Sequence, residues 1–167
     1  MPDIDHALVA VALGANRPSA VGSPRETLVA VQPLLEAELR HWGNHDLSFR
    51  WSALHDTDPF GGPPGQSRYC NAVLLVKGLN MRPTETAALD LLDRLHRLEN
   101  RFGRDRSSEE RWGPRSLDLD FLFWGEMRLN HARLVLPHPR LHLRAFVLAP
   151  LLQVVQCRSL QNRLFSH

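Results

Sequence analysis

The chain has 167 residues, 43% hydrophobic and 23% charged, with a net charge of +2. That length and balance suit one soluble globular domain, residues 1–167, with enough apolar material for a core. Of its 20 lysine and arginine residues only Lys77 is lysine, so a Walker-type lysine site is not expected, whereas arginine suits bidentate phosphate contacts. The first 13 residues lack the basic region of a signal peptide, and no apolar run approaches the roughly 20 residues of a membrane span. Cys70 and Cys157 make neither a disulfide framework nor a metal motif. The chain reads as cytoplasmic, with reduced thiols.

Ala7 to Leu13 is a continuous apolar run, expected as a central strand buried on both faces, and Gly14-Ala15-Asn16-Arg17-Pro18 as the turn that ends it. Ser23, Pro24 and Glu26 form a helix start: a cap, a proline at the first helical position and a capping box. Leu28, Val31, Leu35 and Leu39 supply the apolar stripe, and Gly43-Asn44 stops it. Leu47 to Leu54 reads as one strand. Residues 57–67 hold three glycines and three prolines and are expected to be irregular. Tyr69 to Lys77 reads as a third strand, with Tyr69, Asn71, Val73 and Leu75 on one face. A second helix opens at Pro83-Thr84 and runs to about Phe102, stopped by Gly103. Its stripe is Ala88, Leu91, Leu92, Leu95, Leu98 and Phe102, with Glu99 beside it.

A polar loop, Arg104 to Arg115, leads into a fourth strand, Leu117 to Phe123. Alternation puts Leu117, Leu119, Phe121 and Phe123 on one face and Asp118 and Asp120 on the other, the acids about 6.6–6.8 Å apart along the strand. Met127 to Leu136 can hold short edge strands, and Arg144 to about Val155 a short helix. The order strand–helix–strand–strand–helix–strand predicts an α+β, ferredoxin-like fold: an antiparallel sheet with both helices packed on one face.

Three features carry chemistry. Asp118 and Asp120 can share one or two divalent cations, and hard oxygen ligands suit Mg²⁺ better than zinc. Arg104, Arg106, Arg111 and Arg115 crowd the loop just before them, as a lid closing on a polyphosphate would require. Tyr69 and Asn71 share a strand face, where a ring and an amide can receive a flat heterocycle. His131, His138 and His142 lack the tight helical pairing of a zinc site.

These residues together resemble one family, the 6-hydroxymethyl-7,8-dihydropterin pyrophosphokinases of folate biosynthesis. The resemblance is carried by Leu13-Gly14-Ala15-Asn16, Thr57-Asp58-Pro59-Phe60-Gly61, Tyr69-Cys70-Asn71-Ala72-Val73, Glu99 with Gly103-Arg104, the string Arg111 to Asp120, and Pro137-His138 with residues 144–151. It implies an ATP-dependent diphosphotransferase that moves pyrophosphate from ATP to the pterin hydroxymethyl group and releases AMP. It implies two Mg²⁺ ions on Asp118 and Asp120, and phosphate-binding or lid roles for Arg104, Arg106 and Arg115. Glu99, Arg111, Arg133, His138 and Arg144 would line the nucleotide site. Thr57, Pro59, Phe60, Tyr69, Asn71, Trp112 and Phe146 would form the pterin pocket. ATP and the pterin are the expected partners, with no nucleic acid, no membrane and a monomeric enzyme.

Three departures stand out: Ala15 replaces the usual serine of Gly-Ser-Asn, Glu109-Glu110 add acid to the lid loop, and the tail after Leu152 differs from the usual family ending. Two other readings compete. Ferredoxin-like sheets also bind single-stranded RNA, but the aromatic signature of that class is missing here. An inactive remnant of the enzyme would keep the fold without turnover.

Overall fold

The computed structural model describes residues 8–59, 61–107 and 113–139. Strand β1 (Val9–Ala15) is buried along its whole length, because it pairs antiparallel on one side with β4 (Tyr69–Lys77) and on the other with β5 (Asp118–Trp124). β2 (Ser48–Trp51) and β3 (His55–Thr57) both pair antiparallel with β4, giving a five-stranded sheet in the order β2-β4-β1-β5. With α1 (Pro24–Trp42) after β1 and α2 (Glu85–Arg101) after β4, this is the ferredoxin-like α+β arrangement.

Both helices pack on one face. Val9, Val11, Leu13 and Ala15 of β1, Leu74 and Val76 of β4, and Leu117, Leu119, Phe121 and Trp124 in and beside β5 meet Leu28, Val31, Leu35 and Leu39 of α1 and Leu91, Leu95 and Leu98 of α2 in one buried cluster. A smaller cluster of Ala10, Ala12, Val73, Leu75 and Leu122 lies on the opposite face. The capping box forms as its sequence demands: Glu26 N donates to Ser23 Oγ at 3.3 Å and Ser23 N to Glu26 Oε2 at 2.7 Å, while Pro24 takes a position whose N–H would be idle. Thr84 caps α2, and Gly103, with φ +85°, turns the chain out of the helix.

The structure corrects four expectations. Gly14 and Ala15 are the last residues of β1 rather than a turn, and Ala15 sits in the helix-facing core. A serine hydroxyl there would need a partner, so the alanine suits the site. The expected strand Leu47 to Leu54 is split. Trp51 pairs with Leu74 and His55 with Asn71, so the outer chain carries one residue more than its partner. Ser52 absorbs it: Ser52 N donates to Val73 O, and Val73 N donates to the Ser52 hydroxyl instead of a backbone carbonyl, both at 2.9 Å. Thr57, expected in the Gly/Pro loop, ends β3.

The fourth correction concerns Phe123. Ala10 pairs with Phe123 but Val11 with Phe121, a bulge at Leu122. A bulge resets the alternation, so Trp124 faces the helices and Phe123 packs on the opposite face. β6 (Leu129–His131) and β7 (Leu134–Leu136) form a separate hairpin beside β5. It is tied on by His138 N, which donates to Leu122 O at 2.7 Å. The helix expected from Arg144 lies outside the described residues.

Candidate active site

On the sheet face away from the helices, Gly14 pairs across the strands with Asn71 on one side and Asp118 on the other; Ala12 pairs with Val73 and Asp120. Neighbouring strands lie about 4.7–4.9 Å apart. Asn71 and Asp118 therefore stand roughly 10 Å from each other with only a glycine between them. A Cβ on Gly14 would meet Asn71 Oδ1 at 3.1 Å and Tyr69 Cδ1 at 3.6 Å. Any larger residue at Gly14 would press on the Asn71 amide, which would have to give way by a few tenths of an ångström.

The β4 side of the face is fixed by short-range bonds. Asn71, 2% exposed, donates from Nδ2 to Thr57 Oγ1 at 2.6 Å, which leaves its oxygen turned to Gly14. Tyr69 OH donates to Gly113 O at 3.1 Å, so this tyrosine holds the end of the Arg104–Arg115 loop as well as lining the face. Pro59 is half-buried nearby in sequence. Phe60, Arg111, Trp112, Arg144 and Phe146 lie outside the described residues.

Asn16 was not among the expected site residues, and it joins the two loops. Its Nδ2 donates to Gln66 Oε1 and Ser67 O, both at 3.2 Å. Its Oδ1 accepts from Arg115 N at 2.8 Å, and its own N donates to Arg115 O at 3.0 Å. Gln66 in turn donates to Gly61 O and Pro63 O. The Gly/Pro loop is thus folded on itself and clamped to the backbone of Arg115. The sequence signals were its place in the family-like Leu13-Gly14-Ala15-Asn16 segment and an asparagine directly after an apolar strand, which is also the mark of an ordinary turn.

The β5 side is an acid–arginine cluster. Arg104 Nη1 donates to Asp118 Oδ1 at 2.7 Å and Arg115 Nη1 to Asp118 Oδ2 at 3.1 Å. Burial alone would push the Asp118 carboxyl up, but Arg115 and then Arg104 outweigh it and hold it below the ordinary 3.8. Asp120, half-buried, is the next residue on the same face.

Arg104, expected in a phosphate-binding or lid role, is 5% exposed and bridges Glu99 and Asp118, with a further bond to Leu117 O at 3.3 Å. It lies only three residues past α2, too short a reach to leave the floor of the site. Arg106 is the exposed one, holding both oxygens of Glu99 at 2.7 and 3.0 Å.

Glu99 was expected at the nucleotide. It is fully buried and also accepts from Leu119 N at 3.3 Å. It therefore ties α2 to β5 and anchors the arginines. Burial and the Asp118 charge push its carboxyl up, opposed by Arg104 and Arg106. Arg133 lies on the β6–β7 hairpin, paired with Asp93 of α2.

His96, one turn before Glu99, was also missed; a lone helical histidine carries no signal. Burial, then the charges of Arg106, Arg104 and Arg133, lower it from 6.5 to about 4. It is neutral near pH 7, and at 3.9 Å from Glu99 Oε1 it makes no ion pair. Between those two values the unfolded chain takes up a proton that the folded ring refuses. Stability contributed by His96 is therefore lost as pH falls from 6.5 toward about 4. Following the imidazole signals of the free protein by NMR should give a His96 midpoint near 4. An ordinary midpoint would remove the arginine cluster from its surroundings.

Among the described residues no group of three or more histidine, cysteine or acidic side chains gathers as a metal cage. Two same-face carboxylates beside phosphate-seeking arginines are the donor set that suits Mg²⁺, which takes one or two protein carboxylates and fills its shell with water and substrate phosphates. No helix among those residues is long and apolar enough to cross a membrane.

Fold and site together define a ferredoxin-like α+β protein with an acidic, arginine-lined sheet face. A model of the 7,8-dihydro-6-hydroxymethylpterin-pyrophosphokinase family matches residues 10–156. The chain is 35% identical over 152 residues to the 2-amino-4-hydroxy-6-hydroxymethyldihydropteridine pyrophosphokinase of Haemophilus influenzae, covering 91% of this chain and 84% of that protein. It is 41% identical over 143 residues to the Pseudomonas aeruginosa protein of the same name, 86% of this chain and 77% of that one. A folate synthesis bifunctional protein of Arabidopsis thaliana is 31% identical over 154 residues, 92% of this chain but 28% of the longer protein. The chain belongs to the 7,8-dihydro-6-hydroxymethylpterin-pyrophosphokinase family.

Proposed function

We propose that this chain catalyses the family reaction of folate biosynthesis, transfer of pyrophosphate from ATP to 6-hydroxymethyl-7,8-dihydropterin, with AMP as the other product. The observation that carries the reading is the row Asn71–Gly14–Asp118. It sets a heterocycle-reading amide and a metal-binding carboxylate on one face, about 10 Å apart. That separation spans a pterin ring and its hydroxymethyl arm.

Asp118 and Asp120 would hold Mg²⁺, two ions in our reading; bound there, it would offset phosphate charge and lower the pKa of the attacking hydroxyl. The chain's own residues do the rest. Asn71 and Tyr69, with Thr57, Pro59, Phe60, Trp112 and Phe146, seat the ring so that its hydroxyl oxygen faces the β-phosphorus of ATP. That oxygen forms the new P–O bond as the α–β bridge breaks and AMP leaves with the bridging oxygen. The hydroxyl proton is released. Arg115 and Arg106 balance charge on the transferring group, while Glu99 and Arg104 position them; Arg111, Arg133, His138 and Arg144 complete the nucleotide side. We read the enzyme as one domain, cytoplasmic and monomeric.

The test is AMP formation from ATP and the pterin, with and without Mg²⁺. Pterin-dependent release that vanishes in EDTA supports the reading. Folded protein that releases no AMP would leave the inactive remnant. Gly14 supplies a second check. Gly14→Ala puts a methyl 3.1 Å from Asn71 Oδ1 and should raise the pterin KM about tenfold, with little effect on ATP.

A further inference from the structure

Both oxygens of Asp118 are engaged by guanidinium groups, one from Arg104 and one from Arg115. A carboxylate so covered is a poor landing place for a divalent cation, because two positive charges already stand where a third would come. The two arginines are not equally fixed. The Arg104 side chain is 2% exposed and held also by Glu99 and by Leu117 O. The Arg115 side chain is 21% exposed and its side-chain ion pair is with Asp118. Among the described residues its buried Nε meets no acceptor. A buried donor left without a partner is costly, and a phosphate oxygen is the acceptor that completes the bidentate Nε/Nη fork.

We propose that Arg115 is a removable guard on Asp118, which makes divalent-metal binding conditional on a polyphosphate. Without the nucleotide, Arg115 stays on the carboxylate and the metal binds weakly. A polyphosphate offers both Nε and Nη an acceptor, draws the guanidinium off and opens Asp118 to the cation. Asn16 keeps the Arg115 backbone in place through the exchange, so only the side chain has to swing. The inference rests on the reading of Asp118 as a metal ligand.

The probe is Mn²⁺, counted by electron paramagnetic resonance on folded full-length protein. Without nucleotide, Arg115→Ala should bind Mn²⁺ at least about tenfold more tightly than the unmodified chain, and Arg115→Lys, which keeps the charge, should not. With α,β-methylene-ATP present, the gap between the unmodified chain and Arg115→Ala should close. Equal Mn²⁺ affinity of those two without nucleotide, with binding that Asp118→Asn still weakens, overturns the guard and leaves the metal site standing. Mn²⁺ uptake indifferent to Asp118→Asn and Asp120→Asn overturns both.

Discussion

Asp120→Asn should cut pterin-dependent AMP formation by more than about a hundredfold, since groups merely behind a metal ligand already cost 10–100-fold when removed. The fold should survive. Asparagine is nearly isosteric, and the backbone pairing of Asp120 with Ala12 does not depend on the carboxylate. Asp118 is the less clean target. Its carboxylate receives two guanidiniums, and removing one partner of a buried ion pair costs about 3–5 kcal/mol by leaving the other charge unpaired. Loss of turnover in Asp118→Asn would mix chemistry with stability; in Asp120→Asn it would report the metal site. The measurement is AMP release at saturating ATP and pterin, beside a thermal melt. A near-normal rate from Asp120→Asn sinks its assignment as a ligand.

Arg115→Ala should lower kcat by roughly 10²–10³, the usual effect of losing one preorganised donor to a developing charge. Pterin affinity should change little. The pterin side of the face is held by Asn71, Thr57 and Tyr69, across Gly14 from the Arg115–Asp118 pair. Alanine keeps the N–H and C=O that Asn16 grips, so the loop clamp is retained. The check is a split of kcat against the pterin dissociation constant. An unchanged kcat at saturating ATP would contradict the role.

Much of this architecture was legible before any coordinates, for local reasons. β4 spans Tyr69–Lys77 as its alternation required. Every stripe residue of α2 is buried, and Ser23 with Glu26 closes the box that their spacing encodes. The acids of β5 fall on the face opposite the helices because strand alternation holds through Phe121. It fails at Phe123 because a bulge depends on the partner strand's register, which no single strand carries in its own sequence. The split of the second strand at Ser52 has the same origin.

The sequence by itself determined the chemical inventory: an arginine-flanked pair of carboxylates on a strand, an amide and an aromatic on another, and a Gly/Pro loop. Each was readable because it depends on residues a few positions apart. The tertiary structure decided which of them meet. Positions 71, 14 and 118 become one row only because β1 pairs with both β4 and β5, a long-range choice made by burying β1 on both faces. Burial, also a property of the assembled fold, made Glu99 and Arg104 an ion-paired anchor beside Asp118. It was likewise the fold that made Asn16, a turn residue by sequence, the clamp between the two loops.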